Sequence, residues 1–304
     1  MGIVASLLAL LWCPWDGQPR IEQWHGLILG AGWLVCWRPR PLPRFGWGLG
    51  LWVALTAILW RDSYGVSWLW LATWLLVLAS LDTLTPDEVV RAVVVVSWVE
   101  LAVVATQALG WTHYPQIGSG WTGSVGRRYL LAALWALASL WSRGRWAWWW
   151  AGCSIATGSW MGLVALARLG GRWRWSGLVV VLATAPWWWS RVVLRMPIWW
   201  DGLTIGFAPV GFGKLTGGFL GQGMLDRLLG WSDYHCVPLE LWARFGWWGV
   251  VGIIAALWVY RQLRPWEALW LIAVACLQSL EAYPALGWLM VLLYQGGRDG
   301  VAEV

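Results

Sequence analysis

Long apolar runs separated by short polar connectors dominate the chain, with no sustained alternation of apolar and polar residues. The runs fall near 3–15, 24–37, 45–60, 65–82, 89–110, 128–142, 146–158, 160–168, 174–190, 238–259, 266–280 and 283–295. Continuous apolar stretches of this kind predict membrane-crossing helices and not half-buried strands. Several fall short of the roughly 20 residues that cross a bilayer upright. The expectation is therefore ten to twelve spans, with 160–168 and 283–295 the shortest on evidence. The predicted fold is all-α, a polytopic transmembrane helical bundle forming one integral membrane domain over residues 1–304.

The connectors orient the bundle. With the N-terminus cytoplasmic, "RPRPLPR" (38–44), 83–91, "RGR" (143–145), "RLGGRWR" (168–174), "RQLR" (261–264) and the C-terminal tail lie inside. Together they hold twelve of the 21 Lys and Arg residues. The short outer connectors hold Arg20 and Arg61, and Arg127, Arg128 and four basic residues of 191–237 also lie outside. This split follows the positive-inside rule, and both termini are expected to be cytoplasmic. Segment 191–237 is the one long stretch that does not span, and it is expected outside. It is rich in glycine and aromatics and too apolar for disorder, which marks it as a functional loop. Pro197 is expected to open a short helix there, with Trp199, Trp200 and Leu203 along the membrane surface.

Composition agrees with the pattern. Hydrophobic residues make up 60% of the chain and charged residues 12%, against about 25% charged in soluble domains. Many of the 36 tryptophans gather at the ends of runs ("WAWWW", "PWWWS", "IWWDG"), where an indole can pack its ring and still satisfy its N–H. The net charge of +6 sits in short connectors and forms no soluble basic patch, so no nucleic-acid partner is expected. Five cysteines (Cys13, Cys36, Cys153, Cys236, Cys276) show no CxxC spacing, and four lie in apolar runs. They are read as buried thiols, without a metal site or a disulfide framework. The N-terminus has neither a basic leading region nor an A-x-A site, so it reads as a first membrane helix. "MGIVAS" fits the myristoylation pattern, but one acyl chain adds little to a chain that already spans the bilayer.

Few motifs carry chemistry. "GFGKLTGG" is not a phosphate-binding loop, because Ala208 and Leu215 stand where that motif needs Gly and Ser or Thr. Its glycines suit tight turns, and Lys214 is either a solvated tip or a contact for an anionic ligand. His235 is the one histidine of the outer loop, read either as a boundary residue or as a catalytic base. Glu240 and Arg244 stand four apart on a predicted helix, as a structural ion pair or as functional charges within the membrane. Arg191 and Arg195 suit snorkelling anchors, and Arg127 and Arg128 suit interface anchors or anion clamps. No metal-ligand signature such as H-E-x-x-H occurs.

Four segments in order, followed by a closing pair of apolar runs, resemble over roughly 115–295 the O-antigen ligase and Wzy-type polymerase superfamily of bacterial membrane glycosyltransferases. "GSVGRRYLLAALWAL" (123–137) is similar to that family's start of a span. "ATGSWMGLVALARL" (156–169) resembles its T-x-S-R-G helix start. "RMPIWWDGL…PVGFG" resembles its R-x-x-x-W segment and Gly-rich turn, and "HCVPLELWARFGWWG" its H-N-x-x-L-x-x-x-x-E-x-G-x-x-G. The closing "LQSLEAYPALGWLMVLLYQG" is similar to its last helical hairpin. The first 110 residues match only in hydropathy.

The resemblance implies a glycan donor on undecaprenyl pyrophosphate, no cofactor, and transfer on the outer side of the bacterial cytoplasmic membrane. The acceptor it implies is lipid A core, another glycan or a protein. It assigns His235 as the active-site histidine and Arg195 as the loop arginine, with Glu240 as a candidate acid. Arg127, Arg128, Arg191, Trp199, Lys214 and Arg244 are candidate substrate contacts. Imidazole can take or orient the acceptor hydroxyl's proton at neutral pH, and guanidinium can grip a pyrophosphate. Three positions depart from the family: Trp160 stands for an arginine, Cys236 for an asparagine and Arg244 for a glutamate, with Glu240 one turn earlier. The alternatives are a non-enzymatic transporter or flippase and an inactive relative that binds lipid-linked glycan.

Overall fold

The computed structural model describes residues 51, 52, 55, 85–111, 123, 128–169, 189, 193, 196, 197, 199, 200, 203, 236–277, 289, 290 and 292–294, without the side chains of 240 and 243–245. Seven helices are delimited: α1 Pro86–Ala108, α2 Arg128–Trp141, α3 Gly144–Ala156, α4 Met161–Leu169, α5 Val237–Phe245, α6 Trp247–Tyr260 and α7 Pro265–Leu277. No strand occurs among the described residues.

The start of α1 is written locally. Thr85 accepts from the backbone N–H of Glu88, whose carboxylate takes the Thr85 N–H in return, and Pro86 stands first in the helix. This reciprocal cap, with Asp87 and Glu88 against the positive helix end, opens α1 at Pro86, three residues before the predicted span. The acidic part of the expected 83–91 connector is therefore the first helical turn. At 23 residues α1 is the one described helix long and apolar enough to cross a membrane.

Around α2 the other helices form a core. Every residue from Leu130 to Trp141 is buried, as expected of a helix that is apolar all round. α1, α3, α4 and α7 pack against it. Tryptophan N–H groups tie the layers together: Trp135 donates to the Ser97 carbonyl of α1 at 3.3 Å, and Trp270 of α7 to the Ala133 carbonyl at 3.1 Å. Trp141 donates to the buried Glu267 carboxylate at 3.0 Å, while Glu267 also caps the first turn of α7 through the Arg264 N–H.

The region predicted as one span over 238–259 is two helices. Gly246 (φ 54°, ψ −136°) ends α5 and begins α6, in a conformation that side-chain-bearing residues rarely adopt. Three residues on, Gly249 lies against the Leu241 carbonyl, which leaves no room for a Cβ. Near 160–168 the helix is real but has only nine residues (Met161–Leu169), about 14 Å at 1.5 Å per residue. Such a helix falls well short of a bilayer core of about 30 Å.

Candidate functional site

The direction of each helix decides which ends meet. Trp141, at the C-terminal end of α2, bonds Glu267 in the first turn of α7, while Trp270 bonds Ala133 nearer the start of α2. α2 and α7 are thus antiparallel, and the last turn of α7, with Cys276, lies toward the end where Arg128 opens α2. The α3–α4 turn belongs to that end too, since Ser154 Oγ donates to the Ala132 carbonyl at 2.8 Å. α5 packs against α7, and Cys236, which precedes α5, interacts with Cys276, which brings the start of α5 toward the same place.

Two features of this end are built from side chains. The first is a knot where the second half of α1 faces the start of α2. Gln107 holds Gly123 with both groups of its amide: the Gly123 N–H donates to its Oε1 at 3.0 Å, and its Nε2 donates to the Gly123 carbonyl at 3.2 Å. Gly123 has φ 62°, and a Cβ there would collide with the carboxylate of Glu100. Glu100 is fully buried midway along α1, so the 123 turn and a buried carboxylate fit each other only because residue 123 is glycine. Arg128 begins α2 half-buried, with its guanidinium 5.0 Å from the Tyr129 ring centre and Nη2 donating to Tyr129 Oη at 3.2 Å.

The second feature is a cavity of about 780 Å³ lined by Met196, Pro197, Trp199, Trp200, Leu203, Cys236, Pro238, Leu239 and Trp242. Its two walls are joined by Trp242 Nε1, which donates to the Leu203 carbonyl at 3.0 Å, and Trp242 packs edge-on against Trp247 at 5.2 Å. Volume and lining suit a long apolar ligand. Met196 is already helical, as are Trp189 and Val193, so Pro197 does not open this helix as expected. Trp200 and Leu203 are exposed, whereas Trp199 is half-buried in the cavity wall.

Of the predicted site residues, Arg128 lies by the α1–α2 knot and Trp199 lines the cavity. Glu240 and Arg244 are on α5 as expected, their side chains outside the described set. His235, Arg195, Arg191, Arg127 and Lys214 lie outside the described residues, but the next residues after Arg195 and His235, Met196 and Cys236, line the same cavity. Trp160 closes the α3–α4 turn, whose Ser159 Oγ accepts from the Met161 N–H, so the expected helix start at "TGSWM" is present. The sequence reading passed over Glu100 and Gln107, although an acid within an apolar run is the signal that intramembrane chemistry leaves. Among the described residues no three His, Cys, Asp or Glu side chains form a metal-binding group. No family model matches the chain, and no curated protein or solved structure matches it.

Proposed function

We propose that the chain is a polytopic protein of the bacterial cytoplasmic membrane that transfers or polymerises a glycan from undecaprenyl pyrophosphate on the outer face. The observation that carries this reading is the apolar cavity whose walls begin one residue after Arg195 and one residue after His235. Its tryptophan, methionine and leucine walls suit the polyprenyl tail. Arg128 and the Gly123 turn stand on the same side of the bundle as the cavity, where a pyrophosphate would meet them.

In the proposed reaction the acceptor oxygen bonds to the anomeric carbon of the donor sugar as the bond from that carbon to the pyrophosphate oxygen breaks. His235 takes the acceptor hydroxyl's proton, and undecaprenyl pyrophosphate departs with its charge offset by arginine. The membrane setting is supported by α1 and by the exposed apolar face of α6, where Val251, Ile254, Leu257 and Trp258 are all solvent-facing. A second reading, an inactive relative that binds lipid-linked glycan, is favoured by Trp160 standing where the resemblance calls for arginine.

Purified full-length protein in nanodiscs, given a fluorescent undecaprenyl-pyrophosphate glycan and candidate acceptors, is expected to release lipid pyrophosphate and a longer or relocated glycan. His235→Ala and Arg195→Ala should abolish transfer while leaving membrane insertion intact. Binding without turnover for any acceptor supports the second reading, and full activity in either variant removes the site assignment.

A further inference from the structure

α1 and α3 run in the same direction. Along the chain from Gly123 through α2, hydrogen bonds pass back down α1 from Gln107 to Ser97 and back down α3 from Ser154 to Ala147. Both helices are therefore antiparallel to α2, and both begin at the end where Trp141 closes it. On the surface they share, Trp98 of α1 meets three tryptophans of α3. It stands edge-on to Trp146 at 5.5 Å and to Trp150 at 4.9 Å, and stacks with Trp149 at 6.4 Å. Trp150 is buried, yet Trp98, Trp146 and Trp149 remain 40%, 45% and 48% exposed despite this packing. Arginines border the ledge on the side of the helix starts. Arg145 lays its guanidinium 5.2 Å from the Trp146 ring centre, and Arg143, which precedes α3, is exposed. Arg91 is also exposed and stands two turns before Trp98 on the same face of α1, about 10 Å away along the helix. Among the described residues neither Arg91 nor Arg145 forms an ion pair. The acids at this end, Asp87 and Glu88, lie in the first turn of α1, farther from the tryptophans than Arg91, and Glu88 is occupied in the Thr85 cap.

We propose that this surface binds an anionic phospholipid, its phosphate held by Arg91 and Arg145 and its acyl chains laid against Trp98, Trp146 and Trp149. The occupant follows from the pairing of positive charge with exposed apolar area. A guanidinium offers a phosphate two parallel N–H donors, and stacking on Trp146 holds the Arg145 fork in place for it. Exposed indoles beside such cations suit the boundary between headgroups and chains. Free phosphate would leave the tryptophans unused, and a zwitterionic headgroup would bring its own cation against the arginines. On the topology expected from the arginine distribution this end of the bundle is cytoplasmic, where basic residues beside a membrane helix attract anionic lipid. A second arginine–tryptophan stack, with Arg261 3.8 Å from the Trp258 ring centre, lies on α6, but no other ring packs on Trp258 among the described residues. It supplies the comparison for a built site against charge alone. The site depends on the membrane setting and not on glycan transfer.

The test uses the full-length protein in detergent, offered phosphatidylglycerol and phosphatidylcholine in equal amounts and read by native mass spectrometry. The wild type is expected to keep phosphatidylglycerol in preference to phosphatidylcholine. The double variant Arg91→Gln, Arg145→Gln changes exposed side chains only, and its preference should fall on the order of tenfold. Trp98→Leu should weaken retention of phosphatidylglycerol, and Arg261→Gln should leave the preference intact. Equal retention of the two lipids by the wild type overturns the proposal, as does an unchanged preference in the double variant. An equal fall in Arg261→Gln would show attraction by charge alone and no built site, and loss of the lipid to excess inorganic phosphate would show a site for a free anion. The readout needs no glycan, so it stands or falls separately from the transfer reaction.

Discussion

α2 and α6 have the same length, 14 residues, and both are apolar, yet their surroundings are opposite. α2 is buried from Leu130 onward, whereas the buried positions of α6 are two glycines, Gly249 and Gly252. Hydrophobicity therefore does not decide which helix becomes the centre of this chain. α2 alternates large residues with Ala132, Ala133, Ala136, Ala138 and Ser139, so neighbours can approach on every side. α6 keeps its small residues on one side, where Gly252 meets the Trp52 ring, and sends Ile254, Leu257 and Trp258 outward. In water such a face is unfavourable by about 25 cal/mol for each Å² left exposed, whereas against lipid chains the penalty vanishes.

The largest effect is expected in the α2 core. Trp270→Ala removes a fully buried ring and the N–H bond to the Ala133 carbonyl. It should destabilise the protein by about 3–5 kcal/mol, seen as a large fall in the thermal midpoint in detergent. Ile254→Ala, on the exposed face of α6, should leave that midpoint nearly unchanged, and equal losses at both sites would erase the contrast between the helices.

Ile254→Asp comes next and asks what the outer face of α6 touches. A carboxylate near the centre of a membrane helix costs about 2.5–3.5 kcal/mol on insertion scales, so the variant should show reduced membrane integration in a glycosylation-reporter assay. Unchanged integration would mean that this face meets water or another protein.

The helices near 128–142, 146–158 and 266–280 could be read from the chain because arginines, glycine and proline punctuate the runs there. The structure starts and ends them within a few residues of those limits. Before Gly246 the charges Glu240 and Arg244 read as residues within one predicted span, and only the backbone conformation shows that the helix stops and restarts at Gly246. Glu100 and Gln107 became meaningful once Gly123 was found beside them, because their partner is a turn across a connector and not a motif on α1. The candidate site was legible as a set of residue types in order. Sequence order could not show that Met196 and Cys236 share a cavity, or that Cys276 reaches the same end.

The α1–α2 knot should respond more moderately. Gly123→Ala must hold φ 62° with a side chain and displace the Glu100 carboxylate, at a cost of about 1–3 kcal/mol. Glu100→Ala in the same chain should restore part of that loss, because it removes the collision but not the backbone strain. A thermal midpoint for the double variant no higher than for Gly123→Ala alone would show that the carboxylate is not what confines residue 123.

The smallest effects separate two buried serines that sequence cannot tell apart. Ser154 Oγ donates to the Ala132 carbonyl at 2.8 Å, and Ser154→Ala should cost about 1 kcal/mol, since that carbonyl keeps its helical partner. Ser97 Oγ is equally buried but has no hydrogen-bond partner. Burying a hydroxyl without a partner is itself unfavourable, so Ser97→Ala should be neutral or slightly stabilising. Both can be read from one pair of thermal unfolding curves. A loss at Ser97 as large as that at Ser154 would show a buried water bonded to that hydroxyl, next to Glu100 on the polar side of an otherwise apolar helix.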